Sequence, residues 1–110
     1  MSGSLDLIIN QGATFKRIIT IADSEGAPLN ITGNVFRGQI RKRYTSTEFL
    51  AEFLCEITDP TQGKLIITLT DTETSAIPAG DWVYDVEWLN LGMVSRLIEG
   101  QAITTAEVTR

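Results

Sequence analysis

The sequence predicts an all-β sandwich, and three observations predict it. Apolar residues recur at every second position in almost every segment. Turn signals such as "SEGAP", "DPTQG" and "IPAG" punctuate the chain at short intervals. Threonine and the β-branched aliphatics are abundant, as half-exposed strand positions favour. Together they give about eight short strands, within a range of roughly 7–9 antiparallel strands in all, and one helical turn.

The elements follow in order. "SLDLIIN" places Leu5, Leu7 and Ile9 on one side. In "TFKRIITIA" the inward set is Phe15, Ile19 and Ile21, with Arg17 at a rim. "DSEGAP" is a hairpin-type turn, and "LNITG" reads as a short edge piece closed by Gly33. "VFRGQIRKR" turns Phe36, Gly38 and Ile40 inward and Arg37, Gln39, Arg41 and Arg43 outward. "LAEFLCEIT" buries Ala51, Phe53, Cys55 and Ile57, and "KLIITLT" buries Leu65, Ile67 and Leu69. "DTETSAI", residues 71–77, is the helical turn, with Asp71 or Thr72 expected as its N-cap. "PAGDWVYDVEW" follows, with Trp82, Tyr84, Val86 and Trp88 on the core face and Asp81, Val83, Asp85, Glu87 and Leu89 on the other. The chain closes with the turn "NLG", the strand "MVSRLIEG" and the Thr-rich "AITTAEVTR".

Residues 1–110 suit one domain, long enough for a core but not for a second catalytic unit. The net charge of −5 argues against a general binder of nucleic acid or anionic membrane. No run of apolar residues is long enough to span a bilayer, and the start "MSGSLDLIIN" lacks the basic and apolar regions of a signal peptide. The single cysteine, Cys55, forms no internal disulfide, and its inward position suits an inert thiol in a protein made in a reducing cytoplasm.

Chemistry finds little to hold. There is no histidine, which removes Ser-His-Asp, Cys-His and His-ligated metal arrangements. Asp85 and Glu87 are neighbours on one strand face, whereas paired-carboxylate hydrolysis needs two groups facing each other across a cleft. "DSEG" and "DTET" lack calcium-loop spacing, and no phosphate or dinucleotide fingerprint occurs. The expectation is a protein that is not an enzyme, with no cofactor and no metal.

The basic run Arg37, Arg41, Lys42 and Arg43 reads as a cross-strand charge ladder. One register pairs Arg41 with Glu52 and Arg37 with Glu56 outside, and Ile40 with Phe53, Gly38 with Cys55 and Phe36 with Ile57 inside. Lys42 and Arg43 are left free for an acidic neighbouring chain. Val83 and Leu89 mark an apolar patch for another subunit. The expected contact residues are therefore Arg41, Lys42, Arg43, Val83, Asp85 and Leu89, with the exposed termini.

Six short patterns carry a resemblance over essentially the whole chain: Gln11–Phe15 "QGATF", Ile31–Gly33 "ITG", Pro78–Gly80 "PAG", Tyr84–Val86 "YDV", Arg96–Gly100 "RLIEG" and Glu107–Arg110 "EVTR". In this order they resemble small virion proteins of tailed bacteriophages and prophages. The tail "AITTAEVTR" departs from that pattern by its polarity. The resemblance implies an immunoglobulin-like sandwich related to N-terminal domains of baseplate and tail-fibre proteins. It implies a structural protein of the virion tail, in multiple copies against other virion proteins. The alternatives are a capsid decoration protein on the head, or a carbohydrate-binding module that uses Trp82 or Trp88 for host recognition.

Overall fold

The structure, a computed structural model, describes residues 3–90 and 92–107. Its strands are β1 (Gly3–Ser4), β2 (Leu7–Asn10), β3 (Phe15–Thr20), β4 (Val35–Arg41), β5 (Ala51–Asp59), β6 (Lys64–Leu69), β7 (Gly80–Asn90) and β8 (Met93–Thr105). A 3-10 turn at Pro60–Gln62 and the helical turn α1 (Asp71–Ser75) complete it. The strands form one hydrogen-bonded order, β1-β8-β7-β4-β5-β6-β3, with β2 also on β8. The chain is thus nearly all β, as its alternation predicts.

The order curls because β5 serves two neighbours. Its first residues pair with β4, and Leu54 to Asp59 pair with β6. The inward faces of both halves then share one core. Leu65, Ile67 and Leu69 of β6 are fully buried, as are Ile40 of β4 and Val86 of β7. Phe53 bridges the halves, its ring about 6 Å from both Phe15 and Tyr84. Phe36 is buried, while Cys55, Ile57, Trp82 and Trp88 are half-buried and pack against the core. The two indoles satisfy their N–H groups at once: Trp82 Nε1 donates to the Pro78 carbonyl at 2.7 Å and Trp88 Nε1 to Asn34 Oδ1 at 2.6 Å.

Several expectations change. Most neighbours are antiparallel, but β1 and β2 run parallel to β8. The β4–β5 register is Gly38 with Phe53, Gln39 with Glu52 and Ile40 with Ala51, two residues away from the expected one. A two-residue slip keeps every side chain on its face, so the alternation could not exclude it. The Arg41–Glu52 and Arg37–Glu56 pairs therefore do not form. "LNITG" is a loop, not an edge strand. Ile31 plugs the core from it, and its N–H donates to the Pro60 carbonyl at 2.9 Å. The helical turn is capped by Thr70 rather than Asp71 or Thr72. Its hydroxyl accepts from Glu73 N–H at 3.1 Å, while the Glu73 carboxylate accepts from Thr70 N–H at 2.9 Å. Thr74, fully buried, then clamps the β2–β3 turn, donating to the Ala13 carbonyl and accepting from Gly12 N–H.

Gly38 and Gly63 are among the glycines that close approach requires. Gly38 faces inward, where a Cβ would lie 2.9 Å from Val86 Cγ2 and 3.0 Å from the Phe53 ring. Gly63, at φ 67°, sits against the Ile21 carbonyl, so a side chain there meets both strain and a backbone clash.

Candidate interaction surface

The outer face of β4, β7 and β8 is built row by row from the strand registers. Val35, Leu89 and Val94 form the first row. Arg37, Glu87 and Arg96 form the second. A bulge between Val86 and Glu87 shifts β8, so the third row is Gln39, Asp85 and Glu99. Arg41, Val83 and Gln101 form the fourth.

The middle rows are tied together by their own charges. Arg37 Nε lies 2.9 Å from Glu87 Oε1. Arg96 reaches Asp85 at 3.3 Å and Glu99 at 3.4 Å. Gln39 donates to Glu52 at 3.0 Å and accepts from Arg41 Nη2 at 2.8 Å, and Arg41 also donates to the Ser46 carbonyl. Arg37, Gln39, Arg41, Glu52, Asp85 and Glu87 line a polar groove of about 300 Å³, with a smaller hollow of about 110 Å³ between Arg41, Tyr44, Val83 and Arg96. Burial raises the Asp85 carboxyl above its ordinary value, against the pull of Arg96, with Glu87 and Glu99 adding to the rise. The end row is of another kind: Val35 is 58% and Val94 55% exposed.

The structure brings Arg41, Val83, Asp85 and Leu89 onto this one face. Lys42 and Arg43 fall in the exposed β4–β5 loop instead. Residues 108–110, part of the expected terminal contacts, lie outside the described residues, as does residue 91 of the "NLG" turn. Three contributors were missed. Val35 and Val94 join Leu89 only once three strands are aligned, and Glu87 takes Arg37 from β7 rather than from β5. Odd-numbered outward parity was the available signal for Val35 and Glu87, whereas Val94 is even-numbered and reaches this face on the other side of the β8 bulge.

The carboxylates of Asp85 and Glu87 lie side by side, each held by an arginine, while Glu52, across β4 in the same groove, accepts from Gln39. Among the described residues no cluster of three or more His, Cys, Asp or Glu side chains has a metal-holding arrangement. Cys55 has its thiol pushed up to about 11 by burial, then by Glu52, which makes it a poor nucleophile near neutrality. A second, more apolar opening of about 320 Å³ lies where the layers part, between Ile19 and Ile21 on one side and Trp88, Leu97 and Ile98 on the other.

No family model matches the sequence, and no curated protein matches it. Among solved structures, the chain is similar to the N-terminal domain of phage TP901-1 ORF48, with a TM-score of 0.54 over 94% of this chain and 97% of that one. The fold is shared with a phage protein's N-terminal domain. Sequence identity between the two is 12%, so the likeness is one of architecture, and it extends over nearly the full length of both chains.

Proposed function

We propose that this chain is a non-enzymatic structural module of a phage virion, most specifically an attachment module of the tail, baseplate or fibre region, working through protein–protein contacts. The observation that carries the reading is the near end-to-end fold likeness to the N-terminal domain of a phage protein, which agrees with the six sequence patterns. An immunoglobulin-like classification of the sandwich belongs to the same reading. It draws support from the curled two-layer core and from the β1 and β2 strands laid parallel on β8.

The outer face of β4, β7 and β8 supplies the contact. Its apolar end row gives a partner dry area, and the adjoining charge rows give it orientation. Arg41 and Val83 at the far end, with Lys42 and Arg43 on the neighbouring loop, extend the same face toward an acidic partner. The carbohydrate reading draws less support, because both indoles pack partly against the core and spend their N–H groups within the chain.

The test is immunogold microscopy on virions of the phage or prophage that encodes the chain, with antibody raised to the recombinant domain. Gold at the tail tip or collar is expected, and Val35→Asp with Val94→Asp should abolish incorporation while the isolated domain stays folded. Gold over the head would make it a decoration protein. Absence from purified virions by mass spectrometry would overturn the structural reading itself.

A further inference from the structure

The opposite outer face, on β3, β6 and β5, has no role in the reading above. Its rows follow from the registers. Lys16, Thr68 and Leu54 form one, and Ile18, Ile66 and Glu56 the next. Lys64 stands beyond Ile66 on β6, opposite Thr20. Two observations mark this face. Apolar side chains lie at its centre, with Ile18 63% and Leu54 57% exposed and Ile66 half-buried between them. Charge is also sorted across it, Lys16 on β3 at one side and Glu56 on β5 at the other, with Lys64 at the end of the middle strand. Among the described residues none of these three makes an ion pair within the chain.

We infer that this face is a self-association surface whose occupant is a second copy of the same chain, apposed about a two-fold axis that runs along the strands over β6. Such an axis exchanges the two sides of the face. It lays β3 of each copy over β5 of the other and stacks Ile66 on its own equivalent. Lys16 of one copy then comes within reach of Glu56 of the second copy, and the same contact repeats on the other side of the axis. With Lys16 on one side, Glu56 on the other and an apolar middle, the face is complementary to itself under this operation, as an isologous contact requires. Lys64, on the axial strand, faces its own equivalent at the end of the contact. The inference makes no use of the phage likeness and stands apart from it.

The size of the face sets the strength. Three strands of about six residues present on the order of 300 Å², well short of the roughly 800 Å² per partner in stable complexes. The pair is therefore weak in free solution and gains from repetition, where an assembly that holds copies side by side raises their effective concentration.

Sedimentation velocity of the isolated domain, from micromolar to about 1 mM, tests this. A concentration-dependent monomer–dimer equilibrium is expected. Lys16→Glu alone and Glu56→Lys alone should each weaken it about tenfold or more. An equimolar mixture of the two variants should restore it to within about threefold of the parent, because each reversed charge then meets its opposite. Circular dichroism checks that both variants fold. Strict monomer at all concentrations, a dimer indifferent to the single reversals, or a mixture that fails to recover would each overturn the inference.

Discussion

The two outer faces of this sandwich use charge differently. On β4, β7 and β8 the arginines and carboxylates are consumed by one another, Arg37 with Glu87 and Arg96 with Asp85 and Glu99. On β3, β6 and β5, Lys16 and Glu56 stand apart on either side of an apolar centre, and Lys64 at the end of the middle strand. Charges that pair across neighbouring strands reinforce the register of their own sheet. Charges kept apart add nothing to the register and are free to meet another molecule. The apolar residues follow the same division. They sit at one end of the first face, beside the network, and in the middle of the second.

The comparison breaks most completely where one residue supports both faces. Phe53 lies on the strand the two layers share and contacts Phe15 and Tyr84. Phe53→Ala should cost about 3–5 kcal/mol, by denaturant melt, and disorder both faces together.

Next comes a pH effect that acts from one side of the core. Tyr84 is 1% exposed, its hydroxyl donates to the Leu5 carbonyl, and burial followed by Asp6 pushes its pKa up to about 12, against Arg17. Below about pH 10 the phenol is neutral in both folded and unfolded chains, and its contribution to stability is complete. Between about 10 and 12 only the unfolded chain gives up the proton, so stability falls, on the order of 3 kcal/mol in all. Tyr84→Phe should be less stable at neutral pH yet lose less on going alkaline, with the buried Cys55, pushed up to about 11, still contributing in that range.

The smaller effects sharpen the contrast. Arg96→Gln should change stability by less than about 1 kcal/mol while raising the Asp85 pKa further, read by NMR titration of the carboxyl. Lys16→Ala should leave the melting temperature within error, about 0.5 kcal/mol at most, because its ammonium has no partner to lose.

Much of the architecture was written in the alternation. Leu65, Ile67 and Leu69 could face only one way, and Tyr84 and Val86 lie where period two puts them. What alternation lacks is direction and a zero point. It cannot separate parallel from antiparallel, so the β2–β8 pairing was hidden. It cannot separate registers that differ by two, so Glu52 went to Arg41 when it belongs to Gln39. The Thr70 cap was legible, since "TDTE" holds a capping-box pattern one residue before the expected start. The interaction face was half legible. Val83, Asp85 and Leu89 share a strand and could be grouped from sequence, whereas Val35 and Val94 reach Leu89 only through pairings between distant segments.

The parallel seating of β1 and β2 on β8 has a mechanical consequence. Gly3 lies level with Ile98 and Asn10 with Thr105, so the paired segment extends roughly 23 Å along β8. A pull on Gly3 against Thr105 draws the two strands lengthwise past each other, loading every bond of the ladder together. An antiparallel seating would put both pulling points at one end, and the ladder would open like a zip, one bond at a time. Tyr84, fastened to Leu5 between β1 and β2, adds a cross-pin to that seam. A module placed in line between two parts of a moving particle would carry tension along its strongest direction.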